Sequence, residues 1–576
     1  MKLYQYILII LILGAPVVSA QKISLNISFN DTIINNTKLL DYQKEVQLPN
    51  LKKELSKLLN QLQQKAYLTS TFDSLIIDTS HYHAYIKLGK KYQWTSLTNK
   101  NIDEEVLSKI GFRDKLYNNK PFNEKQLKNF FKKIILYYEN HGYPFASIKL
   151  DSININSNKL SAQLLLDKNK LYKIDSVLIK GNARISSQYI KNYIRIKDGD
   201  IYNEESIRKI SSRIKELPFV TEEKQWKITF TEKESKVLLY LKKKQASRFD
   251  GILGVLPDDQ TGKLRLTGDL KLNLINSFHN GEKIEFNWRA IQENTQDLKF
   301  NVLYPFLANT PLGLDYNFKL YKKDTTFIDV SHKIGLRYIL KGSNYFKLFF
   351  HNKSSNLLSQ AGFSSLTTLP SYADVSAQLY GMEIHNENLD YLLNPRKGHQ
   401  ITISGSLGNK SIQQNPQIDE KLYEGIELKS TLYNAEIDAN YYIPLSKRNV
   451  IKLASKNSYT FNENLFENEL LRIGGLHTLR GFDEESIFAN LYAIQTIEYR
   501  YILEQNSYLY LFFDGAYYES NTADNFVADR PFGFGTGMSF ETKAGIFSIS
   551  YAIGKQFDNP IKFGSAKIHF GFVNFF

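Results

Sequence analysis

From about residue 248 onward, apolar and polar side chains alternate in segments of about ten residues. In one segment Ile284, Phe286, Trp288 and Ala290 fall on one side, and Lys283, Glu285, Asn287 and Arg289 on the other. The next sets Leu298, Phe300, Val302 and Tyr304 against Asp297, Lys299 and Asn301. Successive side chains of a strand point to opposite faces, so each segment has one apolar wall and one charged wall. A water-soluble sandwich also alternates, but its apolar face is a shared core. Charges this dense on the second face of so many strands fit a wet lumen. About sixteen segments, an even number, occupy residues 247–576 at about twenty residues per strand and turn, which predicts a transmembrane antiparallel β-barrel. Its last segment, Ile568, Phe570, Phe572, Asn574 and Phe576, alternates to the final residue. The first, Gly251 to Val255, is short, and Pro257 removes a donor just after it. The seam that closes the ring is therefore expected to be poorly paired.

The N-terminal half follows a different rhythm, which recurs at a period of about 75 residues. Its third copy, residues 170–246, begins with a strand over 173–180 and a turn at Gly181-Asn182. A helix carrying Ile190, Tyr193 and Ile194 follows. Asn203 then caps a second helix with Ile207, Ile210 and Ile214 on one face. Two strands close the unit through Trp226, Ile228, Phe230 and Val237, Leu239, Leu241, so the order is β-α-α-β-β. In the second copy, 96–169, Leu127, Phe131, Ile134 and Tyr138 share a helix face, and Gly142 is suited to a left-handed cap. The first copy, 21–95, echoes this with Leu51, Leu55, Leu58 and Leu62. Its opening helix is weakly marked, and the unit is a candidate for degeneracy.

Residues 1–20 have the form of a cleaved signal peptide: Lys2, an apolar run from Leu8 to Leu13, and Val18-Ser19-Ala20 before Gln21. Elsewhere no run of 18 apolar residues occurs, but barrel strands escape that test. The chain has 37 Tyr and 37 Phe against 3 Met, an aromatic excess suited to interfacial girdles. It has no Cys, which excludes disulfides, a thiol nucleophile and zinc–thiolate sites. The formal charge is +14, yet Lys and Arg are interleaved with Asp and Glu along the chain. No basic block with stacking aromatics stands out, so nucleic acid is not an expected partner. No nucleophile elbow, phosphate loop or zinc-protease motif is present, and neither a catalytic residue nor a cofactor is expected. His81 and His83 share one strand face but lack a third ligand nearby in sequence, so no metal is expected there.

Three tandem β-α-α-β-β units resemble POTRA domains. A free sheet edge in such a unit can accept an extended guest strand, and a role as a rigid spacer is the alternative. The longest turn-rich interruption of the strand array, about 462–489, lies between the eleventh and twelfth segments. With the repeats in the periplasm it is the sixth outer loop. It contains Gly474-Gly475-Leu476-His477-Thr478-Leu479-Arg480-Gly481-Phe482. Gly-Gly followed by Leu-Arg-Gly-Phe resembles the loop motif of the BamA/TamA superfamily of outer-membrane barrel assembly and translocation proteins. Phe513-Asp514-Gly515 resembles that family's strand motif, and alternation turns Asp514 inward, with Thr496, Glu498 and Arg500 inward on the neighbouring strand. The resemblance implies that the loop folds back into the lumen, that Arg480 pairs with Asp514, and that Glu498 is a second partner. Asn394-Pro395-Arg396-Lys397-Gly398 and the spaced Gly533, Gly535 and Gly537 are similar to family turn phrases. The aromatic ending, with Phe570, Phe572 and Phe576, resembles an outer-membrane sorting signal.

In layout, three POTRA units plus a barrel are closest to the TamA type. The resemblance implies residence in the outer membrane with the modules in the periplasm. It implies partners that are unfolded outer-membrane or secreted proteins, membrane lipid, and a periplasmic or inner-membrane-anchored protein. The expected role is assembly or translocation of such clients, not enzymatic. The alternatives are a two-partner-secretion transporter and a passive channel.

Overall fold

The computed structural model describes residues 22–29, 42–78, 81–232, 234–257, 264–290, 295–358, 368–522, 525–542 and 545–575. The signal segment and Phe576 lie outside the described residues. The chain divides into two compact units: one holds residues up to 175 with 199–208 and 232–235, and the other holds the remainder.

In the first unit, a four-stranded sheet runs in the order Tyr42–Gln47, Lys22–Phe29, His81–Lys87, Thr71–Asp78. The expected opening helix is absent among the described residues of this module; a strand, Tyr42–Gln47, stands before the helix Leu51–Gln64. Its sequence, Tyr-Gln-Lys-Glu-Val-Gln, alternates and pairs antiparallel with Lys22–Phe29, and Val46 is buried in the apolar layer with Leu25 and Ile27. Pairing with an open strand edge has overridden helical propensity here. The helix sets Leu51, Leu55, Leu58 and Leu62 over Leu25, Ile27 and Ile86, as its spacing predicts.

The next module has the predicted β-α-α-β-β order: Gln93–Asn99, Glu104–Ile110, Glu124–Glu139, Ser147–Asn156, Lys159–Asp167. Asn123 caps the long helix by accepting from Gln126 N at 2.9 Å. Gly142, at φ +95°, ends it while Tyr143 N returns to Tyr138 O at 3.0 Å. Phe130, more than the predicted Phe131, is the buried ring of this helix, because it shares the inner face with Leu127, Ile134 and Tyr138 while Phe131 lies at that face's edge, partly buried.

In the second unit, the third module's sheet runs Ser176–Lys180, Ser235–Lys243, Val220–Phe230, with Val237, Leu239 and Leu241 fully buried. The barrel has sixteen antiparallel strands, counting as one the pieces Phe526–Asp529 and Phe532–Thr542, which pair with successive parts of Tyr508–Asn521. Pro531, which has no N–H, marks the break. Alternation is strict where it matters for function: Leu509, Leu511 and Phe513 are exposed, while Tyr510, Phe512 and Asp514 are buried. The lumen is charged. Asp315 accepts from Arg337 Nε at 2.6 Å, and Lys347 bridges Asp315 and Glu383 at 3.3 and 2.8 Å.

The first barrel strand is not short. It covers Arg248–Pro257 and pairs with Leu264–Ile275 along its full length. Its pairing with the last strand, Lys567–Phe575, nevertheless amounts to two register pairs, Arg248 with Phe575 and Phe249 with Asn574. Gly251 to Val255 has no register partner on the last strand, so the seam is poorly paired, as expected, and its bonds are confined to these two pairs. By contrast, Asp374–Leu389 and Gly398–Gln413 pair over their whole lengths.

The third module meets the even-to-odd turns of the barrel. Ser186 N donates to His279 O at 2.7 Å, Asn276 Nδ2 donates to Arg184 O at 2.8 Å, and the rings of Tyr189 and Phe306 lie 5.5 Å apart. The odd-to-even connections, including the one after Asn449–Phe461, consequently open at the opposite end.

Candidate functional site

The connection between Asn449–Phe461 and Leu491–Ile502 turns into the lumen and is held along its length. At its start, Lys410 projects inward from Gly398–Gln413 with a fully buried side chain. Its ammonium donates to Glu469 Oε2 at 2.6 Å, to Asn462 Oδ1 at 3.2 Å and to the carbonyl of Asn464. Asn468 exchanges hydrogen bonds with the backbone of Ala373, donating at 2.8 Å and accepting at 3.2 Å. A small hairpin of Leu471–Ile473 and Ile487–Ala489 follows, with Arg472 2.8 Å from Asp329 and over the Tyr321 ring. Gly474 and Gly475, at φ +114° and +92°, reverse the chain at its apex. These values explain glycine at both positions.

The loop then delivers Arg480 to the barrel wall. Its Nε and Nη2 donate to the two oxygens of Asp514 at 2.7 Å each, and its backbone N–H reaches the same carboxylate at 3.2 Å. Its Nη1 donates to Glu498 Oε2 at 2.7 Å. Asp514 takes a further bond from Thr496 Oγ1 at 2.7 Å. Glu498 also accepts from Arg500 Nε at 2.8 Å. The guanidinium lies 3.6 Å from the centroid of Phe512. A planar fork over a ring, facing a bidentate carboxylate, is arginine's particular geometry. Asp514 and Glu498 are 1% and 4% exposed, so their partners in the structure are protein groups and not solvent.

Gly481 and Phe482 seat the tip. A Cβ on Gly481, at φ +94°, would stand 2.7 Å from the backbone of Ile553 and Gly554. One on Gly533 would stand 1.9 Å from the carbonyl oxygen of Arg480. The inward glycines of two adjacent strands thus form a groove into which the loop backbone fits. Phe482 packs with Ile473, Leu479, Ile487 and Tyr518. Beyond it, Asp483 lies 2.7 Å from Lys567 of the last strand, while Glu485 lies 2.9 Å from Arg289 of Lys283–Ala290. The tip therefore touches strands on both sides of the weak seam.

The structure brings Arg480, Gly481, Phe482, Asp514 and Glu498 together. It does not bring Phe513 and Gly515 to the site, because alternation turns both outward. Phe570 also faces outward, and Phe572 packs against Phe547 with the rings tilted and their centroids 4.5 Å apart. Sequence reasoning missed Phe512 as the ring under Arg480, and Lys410 with Glu469. It also missed Asn394, which accepts from Arg500 Nη1 at 3.1 Å and thereby extends the network to a turn. The glycines at 533, 535 and 537 carried a legible signal, an inner strand face without side chains, that points to a close neighbour. Lys410 carried none, being one inward lysine among many.

A barrel of this kind, closed behind a POTRA module and pinned inside by its sixth loop, defines an outer-membrane protein with periplasmic modules. Residues 223–576 match the pattern described as the Omp85 superfamily domain, and residues 172–237 match a POTRA pattern described as a surface antigen variable number repeat. The chain belongs to the Omp85 superfamily. Among solved structures, CdiB from Escherichia coli superposes with a TM-score of 0.55 at 14% identity, covering 91% of this chain and 98% of that one. CdiB from Acinetobacter baumannii gives 0.51 at 16%, covering 91% and 97%. BamA from Haemophilus ducreyi lacking POTRA domains 1–3 gives 0.45 at 16%, covering 84% and 100%. No curated protein matches the sequence.

Proposed function

We propose that this chain receives unfolded polypeptides through its periplasmic modules and promotes their insertion into, or passage across, the outer membrane at the barrel. The observation that carries this reading is the seam of two register pairs beside a loop tip clamped within the lumen. Unpaired backbone groups are costly at membrane depth, so an open strand edge there favours an added strand. Three modules preceding the barrel in the sequence suit capture of a client better than they suit a passive pore. In this reading Arg480, Asp514 and Glu498 fix the loop, and the outward aromatics, including Phe570, hold the barrel in the bilayer.

The test uses proteoliposomes carrying the full chain and a urea-unfolded small outer-membrane barrel, whose folding is followed by gel migration without heating. The chain should accelerate folding over protein-free liposomes. Phe249→Cys with Asn574→Cys, across the seam in a chain that has no other cysteine, should abolish the acceleration on oxidation. Equal rates with and without the chain would sink the proposal. The fold likeness to both CdiB structures over nine-tenths of this chain favours a second reading, a transporter of the two-partner-secretion type. It predicts protease protection of a secreted polypeptide inside the liposomes, with no acceleration of barrel folding.

A further inference from the structure

Within the first unit, the junction of its two modules encloses a cleft of about 680 Å³ that plays no part in the barrel site. Backbone bonds join the segments that line it. Tyr92 N donates to Ala66 O at 2.8 Å, Phe122 N to Tyr92 O at 3.0 Å, and Trp94 N to Lys120 O at 2.8 Å. The walls are therefore held in fixed relation by main-chain bonds and not by long side chains. Lys65 and Lys91 project from one module, Lys115 and Lys120 from the other, and no Asp or Glu lines the cleft. Among the described residues, none of the four lysines is in an ion pair. Exposed lysines of the same unit such as Lys100, Lys109 and Lys128 each have a carboxylate within 2.6 Å.

Four unpaired like charges around one concavity repel one another, a cost that an anionic occupant removes. The rest of the lining narrows its chemistry. Tyr67 and Phe122 offer apolar faces, and Asn123 and Gln126 offer amides suited to peptide groups. A phosphate alone would leave the rings unused, whereas an acidic peptide with apolar side chains meets all three features. Clefts between modules are favoured binding places.

We infer that this cleft binds an acidic, extended segment of an unfolded client polypeptide. The inference rests on the proposed role in receiving clients and names a chemistry for one step of it. It predicts selection by charge, complementary to sheet-edge binding, which reads main chain.

The experiment uses the full chain in lipid nanodiscs and fluorescence anisotropy with two labelled dodecapeptides. One alternates Glu with Leu and Phe; the other has Gln at every Glu position. The acidic probe should bind about tenfold or more tightly than the neutral one, with affinity falling as salt rises. Lys65, Lys91, Lys115 and Lys120 changed together to Gln should erase that difference. A matched change of Lys132, Lys133, Lys149 and Lys159, all exposed on the same unit, should preserve it. Equal binding of the two probes, or an unaffected quadruple variant, overturns the inference. So does binding of anionic phosphatidylglycerol vesicles, lost in the quadruple variant, with no binding of the acidic peptide, which would assign the cleft to lipid. Retained acidic-probe selectivity in a chain that fails to accelerate barrel folding would overturn the client reading while leaving the cleft's chemistry intact.

Discussion

The Arg480 clasp allows a quantitative test. An exposed ion pair contributes about 1 kcal/mol or less, because water and salt replace each partner. Here the Arg480 side chain is 11% exposed and that of Asp514 1%, and the guanidinium supplies three hydrogen bonds to two buried carboxylates. Arg480→Ala leaves both carboxylates buried with reduced compensation, at a cost of about 3–5 kcal/mol. Arg480→Lys keeps the charge but cannot span both oxygens of Asp514 while reaching Glu498, so about 1–3 kcal/mol is lost. Glu484→Ala, two residues beyond the motif on a 38% exposed side chain, should cost about 1 kcal/mol at most. The assay is urea unfolding of the purified barrel in detergent, with the folded fraction read from unheated gel migration. The Arg480→Ala and Asp514→Ala losses should fall short of additivity by about 1–3 kcal/mol in a double-mutant cycle. Additive losses, or an Arg480→Ala cost below about 0.5 kcal/mol, would refute the reasoning that the pair acts as a buried unit.

Gly533→Ala places a methyl against the carbonyl oxygen of Arg480 and should destabilise the barrel by about 1–3 kcal/mol, whereas the outward Gly515→Ala should be tolerated; thermal melting of both variants distinguishes them. Lys410→Ala strands Glu469 and should cost about 3–5 kcal/mol, and Lys410→Met with Glu469→Gln should recover most of it in the same urea assay. In the second module, burial and the Asp103 carboxylate hold the Tyr138 phenol up at about 12. A phenol raised in the folded state stabilises the module below its ordinary value of 10.0, and that contribution is lost as pH rises from there towards about 12. The tyrosinate absorbance difference between the chain and Tyr138→Phe should therefore develop near the upper figure; development at the ordinary value would disprove the assignment.

Much of this protein was legible because a strand's side-chain period is a local rule. Two-residue alternation and turn composition were enough to place the barrel strands, to turn Asp514 and Glu498 inward and Phe513 outward, and to identify the sixth connection as a long outer loop. The helix faces of the modules followed in the same way from spacings such as Leu51, Leu55, Leu58 and Leu62. Decisions that depend on which strand lies beside which were not legible. Tyr42–Gln47 became a strand because an edge was available beside Lys22–Phe29, which no property of six residues announces. The first barrel strand has normal length, and its weak seam arises from where the ring closes, not from Pro257 alone. Asn394 reaches Arg500 across 106 positions of sequence, and Lys410 is buried only because Glu469 and Asn462 descend onto it. Alternation determines which wall of a strand is wet. Closure of the ring, with the register accumulated over sixteen strands, determines which inward charges meet, and that is a property of the whole sheet.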